Sequence, residues 1–206
     1  MKKADEYQER YLNHQERKTQ LLESDDVIIE KKFIQYTLLE QTALKEIMFN
    51  RRSQRKFTPQ KITSEEWKWI KTAIQIAPSS CNRQAIYGML ADPKTAEEYL
   101  VGGSRWIDKA DKVILLFGDK KAYKSPNEIG FMPWLDAGFV AQNIYLIAEV
   151  TGLGCCFVNP NIREANKQSF EKEFGNDYFC GAIALGHYKK KAKTPPLRPV
   201  EKVLRK

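Results

Sequence analysis

Arg51, Ser53 and Arg55, in the run Arg51-Arg52-Ser53-Gln54-Arg55-Lys56-Phe57, are the residues whose types and spacing come nearest to chemistry. An extended chain turns every second side chain to the same side, so two guanidiniums and a hydroxyl would form one donor surface. A guanidinium meets a phosphate with two parallel hydrogen bonds, so a phosphate dianion is what such a surface would hold. Taken alone, the seven residues also read as a solvated basic turn between two helices. A second polar stretch, Ala77-Pro78-Ser79-Ser80-Cys81-Asn82-Arg83-Gln84, is a loop of small residues.

The chain has 206 residues and a net charge of +8. That length suits one domain with a real core and an appendage. Between His187 and Lys206 eight Lys/Arg stand against Glu201, a balance of +7 that places nearly the whole surplus in a C-terminal tail. Without a zinc-ligand spacing or an aromatic–basic signature, this argues for a solubilising tail with one phosphate ligand rather than a nucleic-acid surface. Cys81, Cys155, Cys156 and Cys180 form no CxxC, and neither His14 nor His187 is spaced to join them on a metal. They read as reduced, buried thiols. The apolar runs are too short to span a bilayer, and Met1-Lys2-Lys3 leads into charge rather than a signal peptide, so the expected location is the cytoplasm.

The elements that must position these residues follow from periodicity. Residues 1–26 are polar, a solvated helix or mobile arm. Apolar residues at helical intervals predict a helix from Val27 to Phe49, running into the Arg51 stretch. Thr63 with Glu66 is a capping box, and Trp67, Ile70, Ile74 and Ala77 give the face of the helix it opens, which Pro78 ends. Ala85–Ala91 reads as a buried strand, Asp92-Pro93 as the start of a short helix closed at Gly102-Gly103, and Lys112–Gly118 as a central strand. After a loop over 119–134, Asp136 opens the most apolar helix, ending at Gly152 and apolar nearly all round. It should be buried on every side, by its own domain or by a partner. Leu153–Val158 returns as a strand, Asn161 caps a helix through Phe174, and Tyr178–Leu185 is the last strand. Strands and helices alternate without repeats, giving an α/β or α+β sandwich.

In this order and spacing, RRSQRKF, APSSCNRQ, DAGFVAQNIYLIAEVTGLG and GAIALGHY resemble the FMN-dependent nitroreductase family over roughly residues 45 to 200. The resemblance implies an α+β (α/β/α) sandwich with a mostly antiparallel sheet, in a domain-swapped homodimer with FMN at the interface. It implies a division into an N-terminal extension, 1–44, and an FMN-binding domain, 45–206. Arg51, Arg52, Ser53 and Arg55 match the segment that holds the phosphate, ribityl chain and pyrimidine edge. Pro78, Ser79, Ser80 and Asn82 match the loop that the second subunit lays against the ring, and Arg198 a late basic residue on the phosphate. Physical chemistry agrees with these roles. A reduced flavin needs a cation or donor near N1–C2=O, for which Arg55 is the candidate, and Asn82 offers a donor and an acceptor to the pyrimidine edge.

Two departures stand out. Ala85-Ile86 replaces the Pro-Trp of many relatives, and Pro160, which has no N–H, falls near the usual donor to flavin N5. Asn159 or Asn161 would then supply that donor. Cys155 and Cys156 read as packed strand thiols rather than redox groups. His187 reads as closing a turn, Lys189–Lys191 as solvated, and Trp106, Phe131 and Trp134 as core or substrate-side aromatics. The function implied is an NAD(P)H-dependent, FMN-dependent oxidoreductase reducing flat, electron-poor acceptors such as nitroaromatics or quinones by hydride transfer. Alternatives are a dehalogenating or flavin-degrading relative, and a flavin-storing or adaptor dimer whose first fifty residues dock a partner.

Overall fold

The computed structural model describes residues 36–123 and 125–203. The polar arm, the start of the Val27–Phe49 helix and His14 lie outside them. Thr42–Lys206 forms one compact unit. Helix α1 covers Leu38–Asn50, and residues 36 and 37 ahead of it are not helical. Thr37 supplies the reason: its hydroxyl accepts from the Glu40 N–H at 3.3 Å, and its own N–H donates to the Glu40 carboxylate at 2.7 Å. Helix α2, Ser64–Gln75, is opened by the Thr63–Glu66 box and ends at Gln75, before Pro78.

Four strands follow: β1 (Ile86–Ala91), β2 (Lys112–Gly118), β3 (Gly154–Val158) and β4 (Tyr178–Gly186). They pair antiparallel throughout in the order β1-β2-β4-β3. β2 is interior, as its unbroken apolar run requires. β1 is an edge strand with Tyr87 and Leu90 exposed, which corrects the expectation of a buried one. Period-two alternation divides the core. Ile114, Leu116, Ile183 and Leu185 face α2 and helix α5 (Met132–Val150). Val113, Leu115, Phe117 and Ala184 face helices α3 (Pro93–Tyr99) and α6 (Lys167–Phe174). The result is the α/β/α sandwich that the residue pattern and the resemblance implied.

Boundary differences have local causes. Asp92 caps α3 through bonds from the Lys94 and Thr95 amides, but α3 stops at Tyr99, short of Gly102. The segment read as a loop over 119–134 contains helix α4, Pro126–Ile129, and the first turn of α5. Asp136 therefore lies inside α5 rather than opening it. Asn161 caps no helix; a short 3-10 turn at Glu164–Asn166 leads into α6. Between Leu116 and Phe117 the β2–β4 register slips, leaving Cys180 as the extra residue of a bulge. Gly181 beside it has φ 128°, and a Cβ there would lie 2.4 Å from the Phe157 ring, so glycine is required.

Candidate functional site

The Arg51 stretch is extended. Ser53 makes a parallel bridge to Cys155, and the Gln54 N–H donates to the Cys155 carbonyl at 2.9 Å, so the run lies along the free edge of β3. Gly154 permits the approach: a Cβ there would sit 3.0 Å from that of Gln54. Arg51, Ser53 and Arg55 line one groove of about 430 Å³, but Arg52 between them lines it as well, so alternation is not strict; Gln54 is buried. The opposite wall is the C-terminal segment Ala192–Leu197, with Lys193 and Thr194. It is held by the Ala192 N–H to Gln54 Oε1 (3.1 Å) and by Arg52 to Thr194 Oγ1 (2.7 Å).

Tyr145, on α5, braces the floor. Its hydroxyl accepts from the Phe157 N–H at 2.7 Å and lies 3.2 Å from Ser53 Oγ, while the Arg51 guanidinium sits 4.8 Å from its ring centroid. Burial, then the neighbouring Cys155 thiol, push the Tyr145 phenol up, although the Ser53 and Phe157 bonds oppose this. The hydroxyl therefore stays neutral near pH 7. Arg55 is exposed and lies 5.7 Å from the ring centroid of Trp106, which is half-buried against Phe57. Arg52 differs from its neighbours. It donates to the carbonyls of Phe49 and Arg51, both at 2.6 Å, besides Thr194, so its donors are engaged by protein.

The remaining expected residues lie elsewhere. Ser80 is tied to Asp136 near the start of α5, about 13 Å along the helix from Tyr145. Pro78, Ser79, Ser80 and Asn82 thus form a second polar loop, separate from the groove within one chain. Asn159 is exposed beyond the end of β3, about 13 Å from the Ser53 bridge. Arg198 is exposed, one residue past the groove wall. His187 faces Glu66, at 3.4 Å, and its carbonyl accepts from Thr58. Lys191 is not purely solvated but pairs with Glu149. Cys155, Cys156 and Cys180 are buried, whereas Cys81, in a left-handed turn of the loop, is exposed, against the expectation. Burial pushes all three buried thiols up, Cys180 to about 12, so they remain protonated. Sequence reasoning missed Tyr145 and Gln54. Tyr145 was hidden among apolar residues, and its polar tip in an otherwise apolar helix was the available signal.

The chemistry of the lining decides what fits. Among the described residues of the groove none is acidic, while Arg51, Arg52, Arg55 and Lys193 are cationic. Donors facing a concave site without a counter-charge suit a phosphate ester. The α+β sandwich is the fold of solved structures described as nitroreductases. Residues 43–206 match the family model described as "Putative TM nitroreductase", and the chain belongs to that family. Nitroreductase A from Vibrio parahaemolyticus superposes with a TM-score of 0.69 at 23% identity, over 80% of this chain and 75% of that one. A structure described as a "putative nitroreductase in complex with fmn" from Desulfovibrio desulfuricans gives 0.69 and 23%, over 79% and 95%. The FMN reductase (NADPH) of Bacillus subtilis is 28% identical over 140 residues, 59% of this chain. The chain spans 56% of the length of that curated relative.

Proposed function

We propose that this chain binds FMN in a homodimer and acts as an NAD(P)H-dependent oxidoreductase on flat, electron-poor acceptors such as nitroaromatics or quinones. The observation that carries the proposal is the alignment of Arg51, Ser53 and Arg55 along one cationic groove in which no described residue is acidic. Arg51 and Ser53, both braced by Tyr145, would hold the phosphate. Arg55, further along the extended run and without a carboxylate partner among the described residues of the groove, would face the pyrimidine edge. When bound, FMN supplies the two-electron chemistry, taking hydride from a nicotinamide and passing it on; the protein supplies binding, orientation and electrostatics. The family, and the FMN in the Desulfovibrio desulfuricans structure's description, support the cofactor. The name of the Bacillus subtilis relative supports the electron donor.

The dimer accounts for two observations. The Pro78–Asn82 loop lies apart from its own groove, as a loop serving the other subunit's site would. In addition, Phe131 just ahead of α5, Trp134, Leu135 and Phe139 on it, and Leu44, Met48 and Phe49 on α1, are large apolar residues left exposed in one chain. Asn159 and Arg198 belong to the proposal as outlying ligands that dimerisation and binding would bring in.

The test is direct. FMN affinity is measured by fluorescence titration for the wild type and for Arg51→Ala/Arg55→Ala. Two charge-assisted bonds lost predict a dissociation constant higher by roughly a hundredfold or more. An unchanged constant, or a wild type that takes up no FMN, overturns the proposal. Sedimentation of the wild type checks the dimer.

A further inference from the structure

Asp136 is fully buried, yet it sits inside α5, where aspartate is a poor helix former. A carboxylate in that place is tolerated only if donors compensate it. Two do. Asp136 Oδ1 accepts the Ser80 N–H at 2.9 Å, and Oδ2 accepts the Tyr123 hydroxyl at 2.9 Å. Neither donor belongs to the groove; both come from loops.

The loop that Asp136 grips needs holding. Cys81, Asn82 and Gln84 have φ of 52°, 51° and 49°, a left-handed conformation that costs any residue with a Cβ. Inside the loop, Ser79 accepts from Gln84 (2.9 Å, at its hydroxyl) and from Asn82 (2.9 Å, at its carbonyl). Anchors from outside include Asp136 on Ser80, and Glu128 on Arg83 at 3.0 and 3.1 Å. The Arg83 guanidinium also lies 6.0 Å from the Tyr123 ring centroid and bonds Ser80 Oγ at 3.1 Å, closing the cluster around Asp136.

We propose that Asp136, with Tyr123 as its second donor, is a positioning residue that fixes the strained Pro78–Asn82 loop in the geometry presented to the flavin ring. This rests on the function proposed above for what the loop faces, but not for the hold itself. The same helix carries Tyr145, which braces Ser53 and Arg51, so one rigid element references both the phosphate groove and the ring-facing loop.

The experiment compares wild type, Asp136→Asn and Tyr123→Phe. Asparagine keeps the shape and, with its amide turned toward the Tyr123 hydroxyl, can still accept the Ser80 N–H, but it removes the charge that strengthens that bond. In the FMN-free protein, amide hydrogen exchange of the loop, residues 79–84, is expected to quicken about tenfold or more in Asp136→Asn, with β2 and β4 unchanged. In the FMN-loaded protein, the phosphate grip is intact, so the FMN dissociation constant should stay within about threefold, while the acceptor KM rises about tenfold and the flavin absorption band shifts. Tyr123→Phe removes one donor only and should move each readout the same way by less. Should Asp136→Asn fail to fold, Tyr123→Phe carries the test. Loop exchange unchanged in the folded variants overturns the hold. FMN affinity lost in step with KM overturns the assignment to the ring end. A wild type without FMN would defeat the proposed function and leave the exchange result standing.

Discussion

Tyr145→Phe isolates the brace beneath the groove. The substitution keeps the ring, and with it the Arg51 contact at 4.8 Å, but deletes the hydroxyl that accepts the Phe157 N–H at 2.7 Å and meets Ser53 at 3.2 Å. β3 pairs with β4 on one side only, so on its outer edge this amide has the phenol as its partner. An amide left dry there costs about 1–3 kcal/mol, and the lost Ser53 bond adds to it, so a net loss of about 2 kcal/mol is expected. For a body of this size that lowers Tm by about 4–8 °C. Thermal unfolding of the FMN-free protein, followed by circular dichroism, gives the number. A cycle with Ser53→Ala should return a coupling of about 0.5–1.5 kcal/mol. FMN affinity should weaken only about threefold to tenfold, because the guanidiniums remain. A Tm change under about 1 °C would mean that the Phe157 amide finds another acceptor, and would refute the brace.

Gly181→Ala should destabilise by about 3 kcal/mol or more, since the new methyl would enter the Phe157 ring at a φ that alanine avoids; chemical denaturation measures it. Asp111 gives a pH dependence. Burial alone would raise its pKa, but the Lys61 side chain at 2.8 Å and the Ile62 N–H at 2.9 Å outweigh it, and the net shift is downward. A carboxyl depressed on folding stabilises above its unfolded pKa of about 3.9, and that contribution is lost as pH falls through the lower folded value. Asp111→Asn should therefore lower Tm near pH 7 and flatten the acid limb of the Tm profile below about pH 4. Alkylation of the native protein should leave Cys155, Cys156 and Cys180 unlabelled, while the denatured protein takes four labels, because these three of the four free cysteines are buried. Native labelling of Cys155 or Cys156 would contradict the burial described.

What could be read from the sequence was what short spans encode. The Thr63–Glu66 box reaches three residues, and the Arg51-Ser53-Arg55 side depends only on the period of an extended chain. The two faces of β2 follow from the same alternation. Long-range partners were not legible. Asp136 looked like a helix opener because its donors, on Ser80 and Tyr123, are joined to it only by folding. Arg52 looked like its neighbours, but Thr194, 142 residues away, draws its guanidinium into holding the groove wall. The basic tail looked solubilising, yet Ala192–Leu197 forms that wall. Cys81 looked like a packed thiol because nothing in a run of small residues announces a left-handed turn.

Helix α5 explains why its sequence is apolar nearly all round instead of showing one stripe. Ala137, Val140, Ile144 and Ala148 pack on the sheet. Phe131, Leu135 and Phe139 form an outward stripe, the surface on which the proposed second copy would sit. Between these, Asp136 and Tyr145 are polar points whose acceptors take the Ser80 N–H of the Pro78–Asn82 loop and the Phe157 N–H beside the cationic groove. Asp136 is fully buried, and its low-dielectric setting makes its bonds costly to break. Positional precision at the groove therefore comes from the rigidity of one helix packed on the sheet, and the cationic residues themselves can lie on an extended segment at the sheet edge.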